Sequence, residues 1–295
     1  MTLQTTLQWT PWQPLYEAWK GSKIPAEPGL YRIRRAGASG LDYVGQTGTG
    51  TMNLKKRLGM LKGAWGDKMP YRDPHTLGPA LWALLHRDRC TFEVSVCPIS
   101  DPTPDRKALE ALAISLYRQE HRCSPTLNFG RMPKGYKMSS GNSQKLVEAG
   151  KRFRGGPCDD DTQSHLPGLA PLGSLDGPTH SQTWCGHPWT DWTPIETYKS
   201  VPTKAEGLYR IWDKGQPTLL YVGEGKIGNR VGAHLNKKFK PNHPQGELIA
   251  SARSLMFSYV IGPDWHRHQR LELENDLIAS HVLVHGLRPS AQFLG

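Results

Sequence analysis

The chain has 295 residues, enough for two domains of ordinary size. Its 37 Lys and Arg against 26 Asp and Glu give a net charge of +11, which favours a polyanionic partner, nucleic acid before membrane. A continuous apolar run of membrane-spanning length and the basic-then-apolar pattern of a signal peptide are both missing from the sequence, so we expect neither feature. Five scattered cysteines without a C-x-x-C pair predict reduced thiols in a cytoplasmic protein.

The first part of the chain alternates strand and helix patterns. It opens on a tryptophan-rich segment, Trp9-Thr10-Pro11-Trp12, which we interpret as a buried lid, with a base-stacking platform as the alternative. Runs of β-branched and aromatic residues predict strands, and apolar residues at spacings of three and four predict helices. The predicted elements are strands at 30–35, 42–46 and 91–97 and helices at 52–62, 79–87 and 107–120.

Residues 131–186 differ in composition, being dense in Gly, Pro, Ser and Asp with few large apolar residues. Such a segment buries too little surface to offset its ordering entropy, so we predict a flexible linker. The remainder repeats the earlier order. Its predicted elements are strands at 208–212, 218–223 and 255–261 and helices at 227–238, 245–252 and 266–284.

A spaced pair of tripeptides occurs twice. Gly29-Leu30-Tyr31 precedes Tyr43-Val44-Gly45, and Gly207-Leu208-Tyr209 precedes Tyr221-Val222-Gly223, with the two tyrosines twelve positions apart in both copies. This repeat predicts one module carried twice. We therefore expect an α+β protein with modules at 1–130 and 187–295, each a small three-stranded antiparallel sheet flanked by helices.

Two further pairs of residues align between the copies. Arg57 and Arg230 lie on the predicted helices at 52–62 and 227–238, the basic helices of the two copies. A guanidinium fork at such a position can hold two phosphoryl oxygens. Glu110 and Glu274 each lie fifteen residues before a proline, beside an apolar helix stripe. A carboxylate in that setting needs a partner, which a divalent cation would supply, although a glutamate with its carboxylate in water is the alternative. Glu272 is a second candidate ligand on a different side of the helix.

The ordered set of Gly-x-Tyr, Tyr-x-Gly, helical Arg, helical Glu and Asn after Pro resembles the GIY-YIG nuclease superfamily. The resemblance implies a small α/β sandwich that hydrolyses nucleic-acid phosphodiesters with Mg²⁺ or Mn²⁺ held by Glu110 and Glu274. It also implies that tyrosine hydroxyls orient or deprotonate the attacking water. The tyrosines concerned are Tyr31, Tyr43, Tyr209 and Tyr221.

The copies depart from the family pattern in different places. His234 follows Arg230 by four residues on the same helix face, where the family commonly has His or Tyr, whereas the first copy has Leu61 at that spacing. Conversely, the first copy has the family asparagine at Asn128, and the second has Gln292. Each copy therefore lacks one expected member.

The sequence predicts an endonuclease acting on DNA, with RNA left open, through one or both copies. The alternatives are a nucleic-acid-binding protein that has lost catalysis, and one active module paired with a docking module. Because two sites are carried by one chain, a monomeric pseudo-dimer is expected. The predicted phosphate-contacting residues lie on the basic helices: Lys55, Lys56, Lys62, Lys237 and Lys238.

Overall fold

A computed structural model describes residues 2–20, 23–72, 75–140, 147–159 and 163–294. The described chain divides into two compact units. Unit N comprises Leu7–Arg106 and Pro125–Pro167, and unit C comprises Met1–Thr6, Lys107–Ser124 and Gly168–Gly295. Among the described helices, none is long and apolar enough to cross a membrane.

Unit N is built on an antiparallel sheet with helices after the central hairpin. The basic helix α1 (Leu54–Gly59) is capped by Asn53, whose side chain accepts a hydrogen bond from the Lys56 amide at 2.9 Å. Its strands are β1 (Gln13–Pro14), β2 (Gly29–Arg35), β3 (Tyr43–Gln46) and β4 (Phe92–Pro98), in the spatial order β1-β4-β2-β3. Its helices are α1 (Leu54–Gly59), continued by a 3₁₀ turn at Met60–Trp65, α2 (Gly78–Asp88), and the start of α3 (Thr103–His121). A short pair of strands, β5 (Tyr136–Lys137) and β6 (Gly156–Pro157), completes the unit.

Unit C repeats this sheet. Its strands are β7 (Thr193–Pro194), β8 (Glu206–Asp213), β9 (Tyr221–Lys226) and β10 (Leu255–Ile261), again antiparallel and in the order β7-β10-β8-β9. Its helices are α4 (Ile227–Lys237), α5 (Pro244–Ser251) and α6 (Arg267–His285). The predicted α+β class with antiparallel strands is confirmed.

Each sheet has a fourth strand, so the prediction of three strands was wrong in number. The extra strand is two residues long and follows the tryptophan-rich segment. A threonine fixes that segment to the sheet in both units: Thr10 exchanges hydrogen bonds with Val96, and Thr190 does the same with Tyr259. So short an edge strand carries no periodic signal of its own.

Period-two alternation along β8 divides the core of unit C between the two faces of its sheet. Leu208 packs with Val222, Leu277 and Trp184 on the face covered by α6, whereas Tyr209 and its neighbours pack against α4 on the other face. Strand residues that alternate in direction explain this division. The result is a three-layer arrangement with the helix that bears Glu274 on one side and the helix that bears Arg230 on the other.

The compact units differ from the predicted modules at four places. Residues 1–6 and 107–124 of the first predicted module group with unit C, and the predicted linker is divided, with residues 131–167 in unit N and 168–186 in unit C. Trp184 explains the assignment of residues 168–186, because it is buried in the core of unit C and donates from Nε1 to Ser280 at 2.7 Å. Residues 141–146 and 160–162 of the predicted linker lie outside the described residues.

A buried ionic cluster joins α3 to α6 within unit C. Arg118 makes a bidentate pair with Asp276, with both N–O distances at 2.9 Å, and both side chains are almost completely buried. Ser115 donates to the same carboxylate at 2.8 Å. Polar residues at these positions give no signal in a pattern of apolar residues at spacings of three and four, whereas the apolar Leu116 on the same helix is exposed.

We expect the change Asp276→Ala to lower the free energy of unfolding by about 3–5 kcal/mol, because it leaves the Arg118 guanidinium buried without its carboxylate. The double change of Arg118→Met with Asp276→Leu is expected to recover most of that loss, since neither charge is then buried. Urea unfolding followed by circular dichroism measures both. Equal losses in the single and double variants would contradict this account.

Candidate active site

In both units a buried tyrosine ring lies across a glycine of the neighbouring strand. Tyr31 is paired with Gly45 in the sheet register, and Tyr209 with Gly223. A Cβ atom at Gly45 would lie 2.6 Å from the Tyr31 hydroxyl, and one at Gly223 would overlap the Tyr209 hydroxyl. The glycine of the second tripeptide is therefore required by close approach of the tyrosine of the first.

The second tyrosine of each pair completes an aromatic stack. Ring centroids of Tyr31 and Tyr43 are 6.0 Å apart, and those of Tyr209 and Tyr221 are 6.1 Å apart. The interplanar angles of 29° and 20° are also similar. The spacing of the two tripeptides thus produces one geometry twice.

In unit C the Tyr209 hydroxyl belongs to a chain of hydrogen bonds. It lies 2.9 Å from Nε2 of His234, and the positive charge of Arg230 acts on it. His234 Nδ1 is 3.2 Å from Oε1 of Gln245, which also accepts from Lys237, while the Gln245 amide nitrogen donates to the Ala291 carbonyl at 2.9 Å. Arg230, His234 and Lys237 share one face of α4, which is why they meet the same hydrogen-bonding chain.

This chain fixes the tautomer of His234. Because Oε1 of Gln245 can only accept, Nδ1 of His234 carries the proton, and in a neutral ring Nε2 is then an acceptor. Burial, with the charges of Lys237 and Arg230, lowers the pKa of His234 to about 3, so the ring is neutral near pH 7. Tyr209 therefore donates its proton to His234.

A carboxyl group lies in the same electrostatic environment. Burial raises the pKa of Glu274 to about 8, with the charge of Glu224 adding to the shift and that of Arg230 opposing it. Burial also raises the pKa of Tyr221 to about 12, and the charge of Glu274 adds to that shift. Glu274 on α6 therefore acts electrostatically on Tyr209, Tyr221 and Arg230, whereas both tyrosines pack on the α4 side of the sheet.

The first copy has a histidine that the sequence pattern missed. His75, far along the chain from Arg57, lies with Nε2 at 2.8 Å from the Tyr31 hydroxyl, and burial followed by the charge of Arg57 lowers its pKa well below the usual value. The Leu77 amide donates to its Nδ1 at 3.2 Å, so Nε2 carries the proton and donates to Tyr31. The missing partner at Leu61 is thereby supplied from another part of the chain, with the direction of the hydrogen bond reversed.

Asn128 and Gln292 bind the backbone of corresponding strands, β3 in unit N and β9 in unit C. Asn128 accepts from the Val44 amide at 2.9 Å and donates to the Val44 carbonyl at 2.8 Å, and Gln292 accepts from the Val222 amide at 3.1 Å. The amide of Asn128 is thus used by the strand that carries Tyr43. Glutamine serves as well as asparagine for this purpose, which accounts for the difference between the copies.

The remaining predicted residues are distributed as follows. Glu110 lies on the part of α3 that belongs to unit C, whereas Tyr31, Tyr43 and Arg57 lie in unit N. Glu272 is fully buried, accepts from the Leu169 amide at 2.7 Å and lies 3.7 Å from Arg118, so its carboxylate has a structural role. The predicted phosphate-contacting lysines have partly or fully exposed side chains: Lys55, Lys56, Lys62, Lys237 and Lys238.

The tryptophan rings bind arginines of the same unit. Arg32 lies 4.6 Å from the ring centroid of Trp9 and 4.8 Å from that of Trp12, and Arg210 lies 4.3 Å from that of Trp189 and 4.4 Å from that of Trp192. These cation–π contacts favour the lid interpretation over a base-stacking platform.

The described residues include no group of three or more His, Cys, Asp and Glu able to hold a metal ion. A single carboxylate, Glu274, with a second acidic side chain close enough to raise its pKa, fits a hydrated hard cation such as Mg²⁺ rather than Zn²⁺. No family model, curated protein or solved structure matches this chain.

We expect Gly223→Ala to destabilise the protein by about 1–3 kcal/mol, because the new methyl group overlaps the Tyr209 ring. Gly177→Ala is the matched control, since a Cβ there meets nothing within 4 Å and the substitution reduces the entropy of the unfolded chain. Chemical denaturation of both variants tests this, and equal midpoints would refute the close-packing requirement.

Stability should fall as pH falls from about 6.5 towards 4. Burial lowers the pKa of His187 to about 4 and that of His281 to about 3, so the unfolded state binds more protons than the folded state in this window. Each such histidine adds a slope of about 1.4 kcal/mol per pH unit. Unfolding of His281→Asn should show a slope smaller by about that amount, and an unchanged slope would contradict the assignment.

Proposed function

We propose that unit C is a GIY-YIG-like endonuclease that hydrolyses phosphodiester bonds in DNA with a divalent metal ion. The observation that carries this proposal is the hydrogen bond between the buried Tyr209 hydroxyl and neutral His234, within the electrostatic reach of Arg230 and Glu274. A guanidinium, two hydroxyls, a neutral imidazole and a carboxyl can supply the charge stabilisation and proton transfer that phosphodiester hydrolysis uses.

The phosphodiester would bind at Arg230. Its guanidinium has five N–H donors in a fixed fork, so it can hold two phosphoryl oxygens at once. Since Tyr209 gives its own proton to His234, its lone pairs are oriented away from the imidazole and can accept a hydrogen bond from an attacking water. Tyr221, stacked on the other side, would confine that water.

Glu274 would hold the metal ion, Mg²⁺ or Mn²⁺. When bound, the ion supplies charge stabilisation at the phosphoryl oxygens and makes water a better nucleophile. Positive charge at this point offsets the unfavourable burial of the Glu274 carboxylate and its repulsion by Glu224, which is why these residues suit a cation.

DNA is the proposed substrate because of charge. The chain carries a net charge of +11, and α1 and the end of α4 present exposed lysines near Arg57 and Arg230 in sequence. Glu110, which lies in unit C, is the second proposed metal ligand, and for the chain as a whole we propose a cytoplasmic, monomeric pseudo-dimer with two tandem modules.

The central prediction is that Glu274→Gln abolishes metal-dependent cleavage at the second site, because the amide does not replace the carboxylate as a ligand. Tyr209→Phe should slow that cleavage at least about 100-fold through loss of the hydroxyl between Arg230 and His234. Single-turnover cleavage of supercoiled plasmid with Mg²⁺ and with EDTA measures both. Glu247→Gln, at an exposed carboxylate on α5, is the matched control.

The number of working sites is tested by Glu110→Gln in the same assay. A nicked product from Glu274→Gln, and from Glu110→Gln, in place of the linear wild-type product would identify two working metal sites. Wild-type behaviour of Glu110→Gln would identify Glu274 as the ligand of a single working site. The proposal is contradicted if the double variant Glu274→Gln with Glu110→Gln cleaves at the wild-type rate. It is also contradicted if the wild-type protein cleaves equally fast in Mg²⁺ and in EDTA.

A further inference from the structure

The turn after α4 presents an exposed aromatic ring among lysines. Phe239 is 74% exposed, the highest value among the large apolar residues described. Lys238 lies over its ring at 4.8 Å, and Lys237 and Lys240 flank it. Because single exposed apolar residues are common on protein surfaces, the lysines around this ring are the part of the feature that points to a partner.

The turn is a formed structure that presents this ring in a fixed place. Amides of Lys238, Phe239 and Lys240 donate to the carbonyls of Leu235, Asn236 and Lys237 at 3.2, 3.3 and 2.9 Å. Gly246 closes the turn from the other side, since a Cβ there would overlap the Lys237 carbonyl. Presentation of Phe239 therefore requires no ordering of the backbone on binding.

The charge around the ring has one sign. Between Glu224 and Glu247 the sequence has five basic residues and no acidic one. The pKa of Lys237 is lowered by burial and then by the charges of Arg230 and Lys240, so these cations lie close together. An aromatic face within a cationic cluster is complementary to a nucleobase attached to its phosphates.

The equivalent region of unit N lacks this feature. There, α1 continues into a 3₁₀ turn whose Trp65 packs at 5.5 Å from both Tyr16 and Trp19. The ring of Trp65 packs against the core of unit N, so an exposed ring after this helix is a feature of unit C.

We propose that Phe239 stacks on an unpaired or unstacked nucleobase of the DNA cleaved at the unit C site, with Lys237, Lys238 and Lys240 on the adjacent phosphates. This inference rests on the proposed function. Phe239 lies in the turn after α4, and the seven residues from Arg230 to the end of that helix at Lys237 span about 10 Å along its axis, or roughly three base steps at 3.4 Å each. The site would therefore favour DNA that is open about three bases from the scissile phosphate.

The test measures binding in EDTA, where no cleavage occurs, to two duplexes that differ only in a small bubble of unpaired bases. We expect wild-type protein to prefer the bubble, and Phe239→Ala to lose about tenfold in affinity for it together with the preference. Phe239→Trp should keep both. Phe153→Ala is the matched control, since Phe153 is also exposed and also has a lysine, Lys137, at its ring.

A fluorescent base analogue in the bubble gives a second readout, because stacking on Phe239 quenches it and Phe239→Ala should restore its emission. Equal affinity of wild type and Phe239→Ala for both duplexes would overturn the proposal. So would loss of binding to phosphatidylserine vesicles in Phe239→Ala with unchanged DNA binding, which would assign the turn to a lipid surface. If the wild-type protein does not cleave plasmid with Mg²⁺, the proposed function fails, but the binding preference measured in EDTA still stands.

Discussion

The packing of a tyrosine ring across a glycine of the neighbouring strand is the constraint on which both units depend. The ring of Tyr209 occupies the space that a side chain at position 223 would need, and Tyr31 does the same at position 45. This contact fixes the register of the central hairpin, since a slip of one residue would turn the tyrosine to the other face of the sheet. It also places the tyrosine hydroxyl beside the histidine. The same contact therefore determines both the register of the hairpin and the geometry of the candidate site.

The two copies preserve the hydrogen bond to the tyrosine by different means. In unit C the histidine comes from α4, four residues after Arg230, and accepts from Tyr209. In unit N it comes from the chain just before α2, and His75 donates to Tyr31. Because a neutral imidazole carries one proton, the partner at Nδ1 determines this direction: Gln245 must accept, and the Leu77 amide must donate. The copies are alike in geometry and opposite in proton direction.

Polar contacts also determine where the compact units end. The bidentate pair of Arg118 and Asp276 is removed from water. Because desolvation offsets much of the attraction between buried charges, this pair stabilises the unit only if its hydrogen-bond geometry is good. It assigns most of α3 to unit C, together with Ala111, which lies in that unit's core and accepts from Asn275 at 2.9 Å. Burial of one large side chain assigns part of the predicted linker to unit C as well, because Trp184 packs in the core of that unit.

Periodicity and spacing, which are local properties of the chain, were enough to predict the repeat, the α+β class, and the helices and long strands to within a few residues. The identity of the second histidine, the use of Asn128 to bind the strand backbone, the fourth strands and the division into units depend instead on tertiary contacts. His75 is separated from Tyr31 by 44 residues, and Arg118 from Asp276 by 158. Contacts at such separations depend on how the elements pack, which no local pattern of residues records.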